Sequence, residues 1–172
     1  QMCIRRQVKQ EERYDPNMAT SSEQIGSSTA WAAGYTGAGS KIAIIDTGID
    51  IDHQSFSAAG YDHSMELLAK DAGMTLDAYK KSVGVLDAAG IAESTTASAV
   101  TRNDKIPFAY NYVDKNTKIT HMDDEQGEHG SHVAGIAAAN KYIANADGTF
   151  SNALETAKVQ GVAPDAQLVV MK

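Results

Sequence analysis

The run Lys41-Ile-Ala-Ile-Ile45 constrains the fold of this chain more than any other stretch. A short, nearly continuous apolar segment rich in β-branched residues is the pattern of a strand buried on both faces of a parallel sheet. Other segments fit that beginning. Gln167–Met171, reached through the turn Gly161-Val-Ala-Pro164, reads as another apolar strand, and Ile106–Val113, with Phe108, Tyr110 and Tyr112, as a further one. His129–Asn140 reads as a helix whose Gly130 and Gly135 leave room for close packing against a sheet.

Between these segments, Met65–Gly90 carries apolar positions at helical spacing and is expected to form two short helices in an insertion. Ser22–Trp31 reads as a short helix or turn, Ala88–Arg102 as an exposed loop, and Asp114–Gln126 as a polar loop. Strands alternating with helical patterns predict an α/β fold, a parallel sheet flanked by helices. Residues 1–20 read as a tail or linker and residues 21–172 as part of a single domain.

Charge narrows the partners. The 15 basic and 22 acidic residues leave a formal net charge of −7, and no basic run exceeds a pair such as Arg5-Arg6, so neither nucleic acid nor an anionic membrane is the expected partner. The longest apolar runs are far too short to span a bilayer. Cys3 is the one cysteine, so no internal disulfide can form, which by itself decides nothing about compartment.

Three motifs invite chemistry. The glycines of Gly34-Tyr-Thr-Gly-Ala-Gly39 precede a strand, whereas a phosphate-binding loop must follow one and open a helix, so a plain loop is the better reading. Asp46-Thr-Gly48 closes the first strand and has three readings: a solvated turn, half of an aspartic-protease dyad, or the carboxylate that orients a catalytic histidine. The dyad requires a second carboxylate, and no second Asp-Thr-Gly or Asp-Ser-Gly occurs, so a dimer would have to supply it.

Glu128-His-Gly-Ser-His132 reads as a pair of packed histidines, a metal site or a catalytic base. Its histidines are neighbours at i, i+3 on a helix, with His121, Asp123 and Asp124 as the candidates for completing a zinc shell. The His-Glu-x-x-His arrangement is absent.

Taken together, Gly39-Ser-Lys-Ile-Ala-Ile-Ile-Asp-Thr-Gly-Ile-Asp50, His129-Gly-Ser-His-Val-Ala-Gly-Ile136 and Gly161-Val-Ala-Pro-Asp-Ala-Gln-Leu168 stand in an order that resembles the subtilisin-like serine proteases. The resemblance runs from about Ile25 to Lys172. Pro107-Phe-Ala-Tyr-Asn-Tyr112 and Asp124-Glu-Gln-Gly-Glu-His-Gly130 are further similar to the lactocepin-type cell-envelope proteinases of Gram-positive bacteria. The resemblance implies a serine endopeptidase acting on proteins, with Asp46 as the partner of the general base His129, and His132 as a structural residue set against the sheet in a buried hydrogen bond. It implies export and wall attachment. It asks for no cofactor in the chemistry and leaves structural calcium open for the parent protein.

The family's nucleophile sits in a Gly-Thr-Ser-Met-Ala-type turn, which these residues lack: Ser131 lies inside the histidine motif, and Ser94 and Ser98 have no such neighbours. The oxyanion-stabilising Asn also has no recognisable motif. The expectation is therefore an incomplete catalytic domain, inactive alone, with a non-catalytic α/β interaction domain or a dimeric aspartic protease as the alternatives. A further expectation is self-association through Gln167–Met171, with Leu168, Val169 and Val170 facing water along an unpaired edge.

Overall fold

The computed structural model describes residues 18–94, 102–120 and 127–172. The expected tail up to residue 17, with Cys3, lies outside them, as do Ser98, His121, Asp123 and Asp124. Helices α1 (Met18–Gln24) and α2 (Ser27–Ala32) open the described chain, so α1 spans the expected junction between residues 20 and 21.

Among the described residues three parallel strands form the central sheet: β1 (Lys41–Ile45), β2 (Phe108–Tyr110) and β5 (Gln167–Met171), in the order β1-β5-β2. Lys41 pairs with Gln167 and Ile45 with Met171, while Phe108 to Tyr110 pair with Val169 to Met171 on the other side. β5 is thus the central strand. Leu168 and Val170 are fully buried, in contrast to the expectation that this strand would present a free edge, because both of its edges are occupied.

β1 departs from expectation in the opposite sense. Ile44 is buried, but Ile45 is 78% exposed and Ala43 is exposed too, so this strand is covered on one face only. Its apolar run reflects two half-uses: Ile42 and Ile44 face the core, and Ala43 and Ile45 form an uncovered apolar face.

The core gathers Ile44, Leu168, Val170 and Ala109 from the sheet, Ile49, Ile51, Phe56, Ile106 and Ile119 from the connections, and Ala134 and Ala138 from helix α6 (His129–Ala138). Small residues let α6 lie close. A β-carbon on Gly161 would stand 2.4 Å from both the Ala138 Cα and the Ala139 nitrogen. That proximity lets the 161–163 segment cap the helix: the amides of Gly161, Val162 and Ala163 donate to the carbonyls of Ala139, Ile136 and Ala137, each at 2.9 Å. The carbonyls that a helix end leaves without intrahelical partners are thereby satisfied.

Among the described residues the insertion holds three helices, α3 (Ala58–Asp71), α4 (Leu76–Val83) and α5 (Ala88–Ser94), the last in a stretch whose sequence predicts an exposed loop. Asp87 starts α5 by accepting from the Ala89 amide at 2.9 Å, and Ala88 is buried. The periodic signal there is weak because Ile91 is the one large apolar residue among the small and polar residues of the segment. Beyond α6, an antiparallel hairpin of β3 (Tyr142–Ala144) and β4 (Phe150–Asn152) leads into the short helix α7 (Ala153–Thr156). His63 of α3 stacks on Phe150 at 3.9 Å and meets Tyr142 edge-on, which fastens the insertion to this hairpin.

Gly161→Ala should lower the free energy of unfolding by about 1–3 kcal/mol, because the atoms in the way are backbone and cannot swing aside. Urea unfolding followed by circular dichroism checks this. An unchanged midpoint would show that α6 and the 161–163 segment are not in contact as described.

Candidate active site

Asp46 follows directly on β1 and keeps its pairing for one more residue, its amide donating to the Met171 carbonyl at 3.1 Å. The chain then turns sharply. Gly48 has φ 108°, in the region that side chains disfavour, and a β-carbon there would stand 2.1 Å from the Ile119 carbonyl oxygen. The Thr47 amide donates to Asp46 Oδ1 at 2.7 Å, which fixes the carboxylate at the carboxyl end of the strand.

α6 starts beneath this turn. A β-carbon on Gly130 would lie 2.1 Å from the Gly48 carbonyl oxygen and 3.2 Å from the Asp46 β-carbon, so only glycine permits the approach. The preceding residue, His129, therefore arrives beside Asp46 despite a separation of 83 positions, with Nδ1 2.9 Å from each carboxylate oxygen. The Asp46 side chain is 17% exposed and that of His129 is 71% exposed, so the imidazole faces outward from a mostly sheltered carboxylate.

The hydrogen bond from His129 holds the Asp46 carboxyl below the usual aspartate range, aided by the Thr47 amide and opposed by partial burial. With Nδ1–H donating to the carboxylate, Nε2 becomes the lone-pair nitrogen on the open side of the ring. The arrangement can accept a proton there and stabilise the resulting imidazolium.

Other candidates fall elsewhere. His132 is exposed, not set against the sheet in a buried hydrogen bond as expected, because the inward positions of α6 belong to Gly130, Ala134 and Ala138. Ser131 Oγ accepts from the Asp50 amide at 2.8 Å. The backbone of Ser94 belongs to α5. Among the described residues no group of three or more His, Cys, Asp or Glu side chains could hold a metal ion. Asp46 meets an imidazole rather than a second carboxylate, which does not fit an aspartic dyad. Thr47 does not stand out in the sequence as a site residue, yet its hydroxyl sits at the centre of the junction, accepting from the Gly130 amide at 3.1 Å.

Comparison with known proteins points to one family. The subtilase family model matches residues 37–172. The PII-type proteinases of Lactococcus lactis subsp. cremoris and Lacticaseibacillus paracasei are each 31% identical over 160 residues, which is 92% of this chain and 7% of the relative. The minor extracellular protease Vpr of Bacillus subtilis is 31% identical over 167 residues, covering 94% of this chain and 13% of that protein. The chain thus spans a small part of the length of these relatives.

The lowered pKa of the Asp46 carboxyl predicts a pH effect. Its folded value lies below the ordinary 3.8, so the unfolded chain binds the proton first as pH falls. The stabilisation is complete above that ordinary value and disappears as pH drops through the folded one. Urea midpoints measured from about pH 6 down to about pH 2 should fall less steeply in Asp46→Asn than in the natural chain. Parallel curves would mean that Asp46 and His129 are not paired in solution.

Proposed function

Because the chain belongs to the subtilase family of serine proteases, we propose that it supplies the aspartate and the histidine of an Asp-His-Ser triad in a serine endopeptidase. The observation that carries this is the contact of His129 Nδ1 with both oxygens of Asp46 at the carboxyl edge of the sheet. In this reading Asp46 fixes the Nδ1–H tautomer. His129 Nε2 takes the proton of the attacking serine and later returns it to the leaving amine. The substrates are peptide bonds of proteins.

The serine lies outside these 172 residues, none of whose serines stands in a Gly-Thr-Ser-Met-Ala turn. Residues 21–172 are then one part of a larger catalytic domain, with residues 1–20 as a tail or linker to it. The small share of the relatives' length supports this. Export, to the medium or the cell wall, is the matching location, supported by the extracellular protease among the relatives. No metal takes part in the chemistry proposed, and structural calcium is a matter for the longer polypeptide. In isolation the uncovered face of β1, with Ile45 and Ala43 exposed, favours self-association.

The purified 172-residue chain should not cleave a fluorogenic protein substrate, and sedimentation across a concentration series should show its mass rising. Cleavage sensitive to serine-directed inhibitors would overturn the division of the triad, and a constant monomer mass would overturn the self-association. In the longer polypeptide, His129→Ala should reduce turnover on the order of a millionfold, the loss that removing the triad histidine causes in a subtilisin of the same family. Unchanged turnover would favour a non-catalytic α/β interaction module instead.

A further inference from the structure

We propose that Thr47 and Ser131 are positioning residues that set the orientation of the His129 imidazole, an inference that rests on the reading of Asp46 and His129 as a catalytic couple. A histidine whose side chain is 71% exposed has little packing to hold it. Its aim depends on where the backbone at the start of α6 is placed.

That start cannot hold itself. The first amides of a helix have no intrahelical carbonyl to bond, and an N-cap side chain ordinarily satisfies one of them. Glu128 occupies the N-cap of α6 without a side-chain capping bond, and Gly130 has no side chain to offer. The cap comes instead from the Asp46 turn. Thr47 Oγ1 accepts from the Gly130 amide at 3.1 Å and donates to the Gly127 carbonyl at 3.3 Å, so one hydroxyl grips the chain on both sides of His129.

The return tie runs the other way. Ser131 Oγ accepts from the Asp50 amide at 2.8 Å, fastening the far end of the same turn to the first turn of the helix. Residues 46–50 and 127–131 are therefore joined by three kinds of contact: the Asp46 carboxylate to the His129 ring, the Thr47 hydroxyl to the backbone either side of it, and the Asp50 amide to the Ser131 hydroxyl. The two hydroxyls hold the frame within which the ring can meet the carboxylate. Neither hydroxyl touches substrate or transfers a proton.

Nitrogen-15 NMR of the histidine rings in the 172-residue chain tests this at a pH where imidazole is neutral, about 9. Ring nitrogen shifts report which tautomer His129 adopts. The natural chain should show mainly Nδ1–H, and Asp46→Asn should abolish that preference. Thr47→Val, which keeps the side-chain shape but loses the hydroxyl, and Ser131→Ala should each shift His129 toward Nε2–H, while Thr47→Ser should keep it as in the natural chain. In the longer polypeptide Thr47→Val should lower kcat by roughly a hundredfold with a much smaller change in KM. An unaltered tautomer in Asp46→Asn would overturn the couple itself. A shift in Asp46→Asn with none in Thr47→Val or Ser131→Ala would overturn the positioning role alone. Circular dichroism establishes folding, and should Thr47→Val fail to fold, Ser131→Ala decides on the same signal.

Discussion

The approach of the Gly130 backbone to the carbonyl of Gly48 sets the distance at which the site operates. A strand end and a helix start are usually kept apart by side chains. Here two glycines remove them, and the helix N-terminus comes close enough for His129 to reach Asp46 without being enclosed. A net hydrogen bond contributes only about 0.5–1.5 kcal/mol, so the pairing cannot drag α6 into place. The burial of Ala134 and Ala138 against the sheet does that, and the 161–163 segment closes the other end of the helix.

The sheet is in turn fixed by polar side chains reaching its central strand. Gln167 is fully buried, and its amide donates to the carbonyls of Leu86 and Asp104 while accepting from the Leu86 amide. Lys105, also fully buried, donates to the carbonyls of Pro164 at 2.8 Å and Ala166 at 2.7 Å, and burial pushes its ammonium down to about 7. These bonds tie the insertion and the Gly161–Ala166 turn to β5. That strand then presents the Met171 carbonyl to the amide of Asp46. The remote insertion is thereby connected to the Asp46 carboxylate through backbone pairing.

How much of this is legible in the sequence depends on how local each cause is. β1 and β5 are legible to the residue, since a buried run bounded by glycine or a polar turn is a local signal. Asp46 and His129 are legible through their motifs and order, although only the fold explains why they meet. Strand order is not legible, and β5 is paired on both sides where an edge is expected; nor is it legible which faces are covered, and β1 is covered on one face where two are expected. His132 leaves its expected place because it stands two positions, about 200° around the helix, from the buried Gly130, and so on the side away from the inward face of Gly130, Ala134 and Ala138. The β3–β4 hairpin does leave a signal in Asp147-Gly148, a turn dipeptide, but its strands are only three residues long and half buried.

Catalysis in this scheme requires that His129, oriented by Asp46, be the base that makes a serine elsewhere in the polypeptide nucleophilic. A fluorophosphonate probe measures that property directly, because it labels a serine only when an adjacent base activates it. Applied to the longer polypeptide, it should label one serine in the natural protein. Labelling should be lost in His129→Ala and greatly slowed in Asp46→Asn, with both variants folded by circular dichroism. Labelling of His129→Ala at the natural rate would contradict the assignment, since the serine would then be activated by some other base.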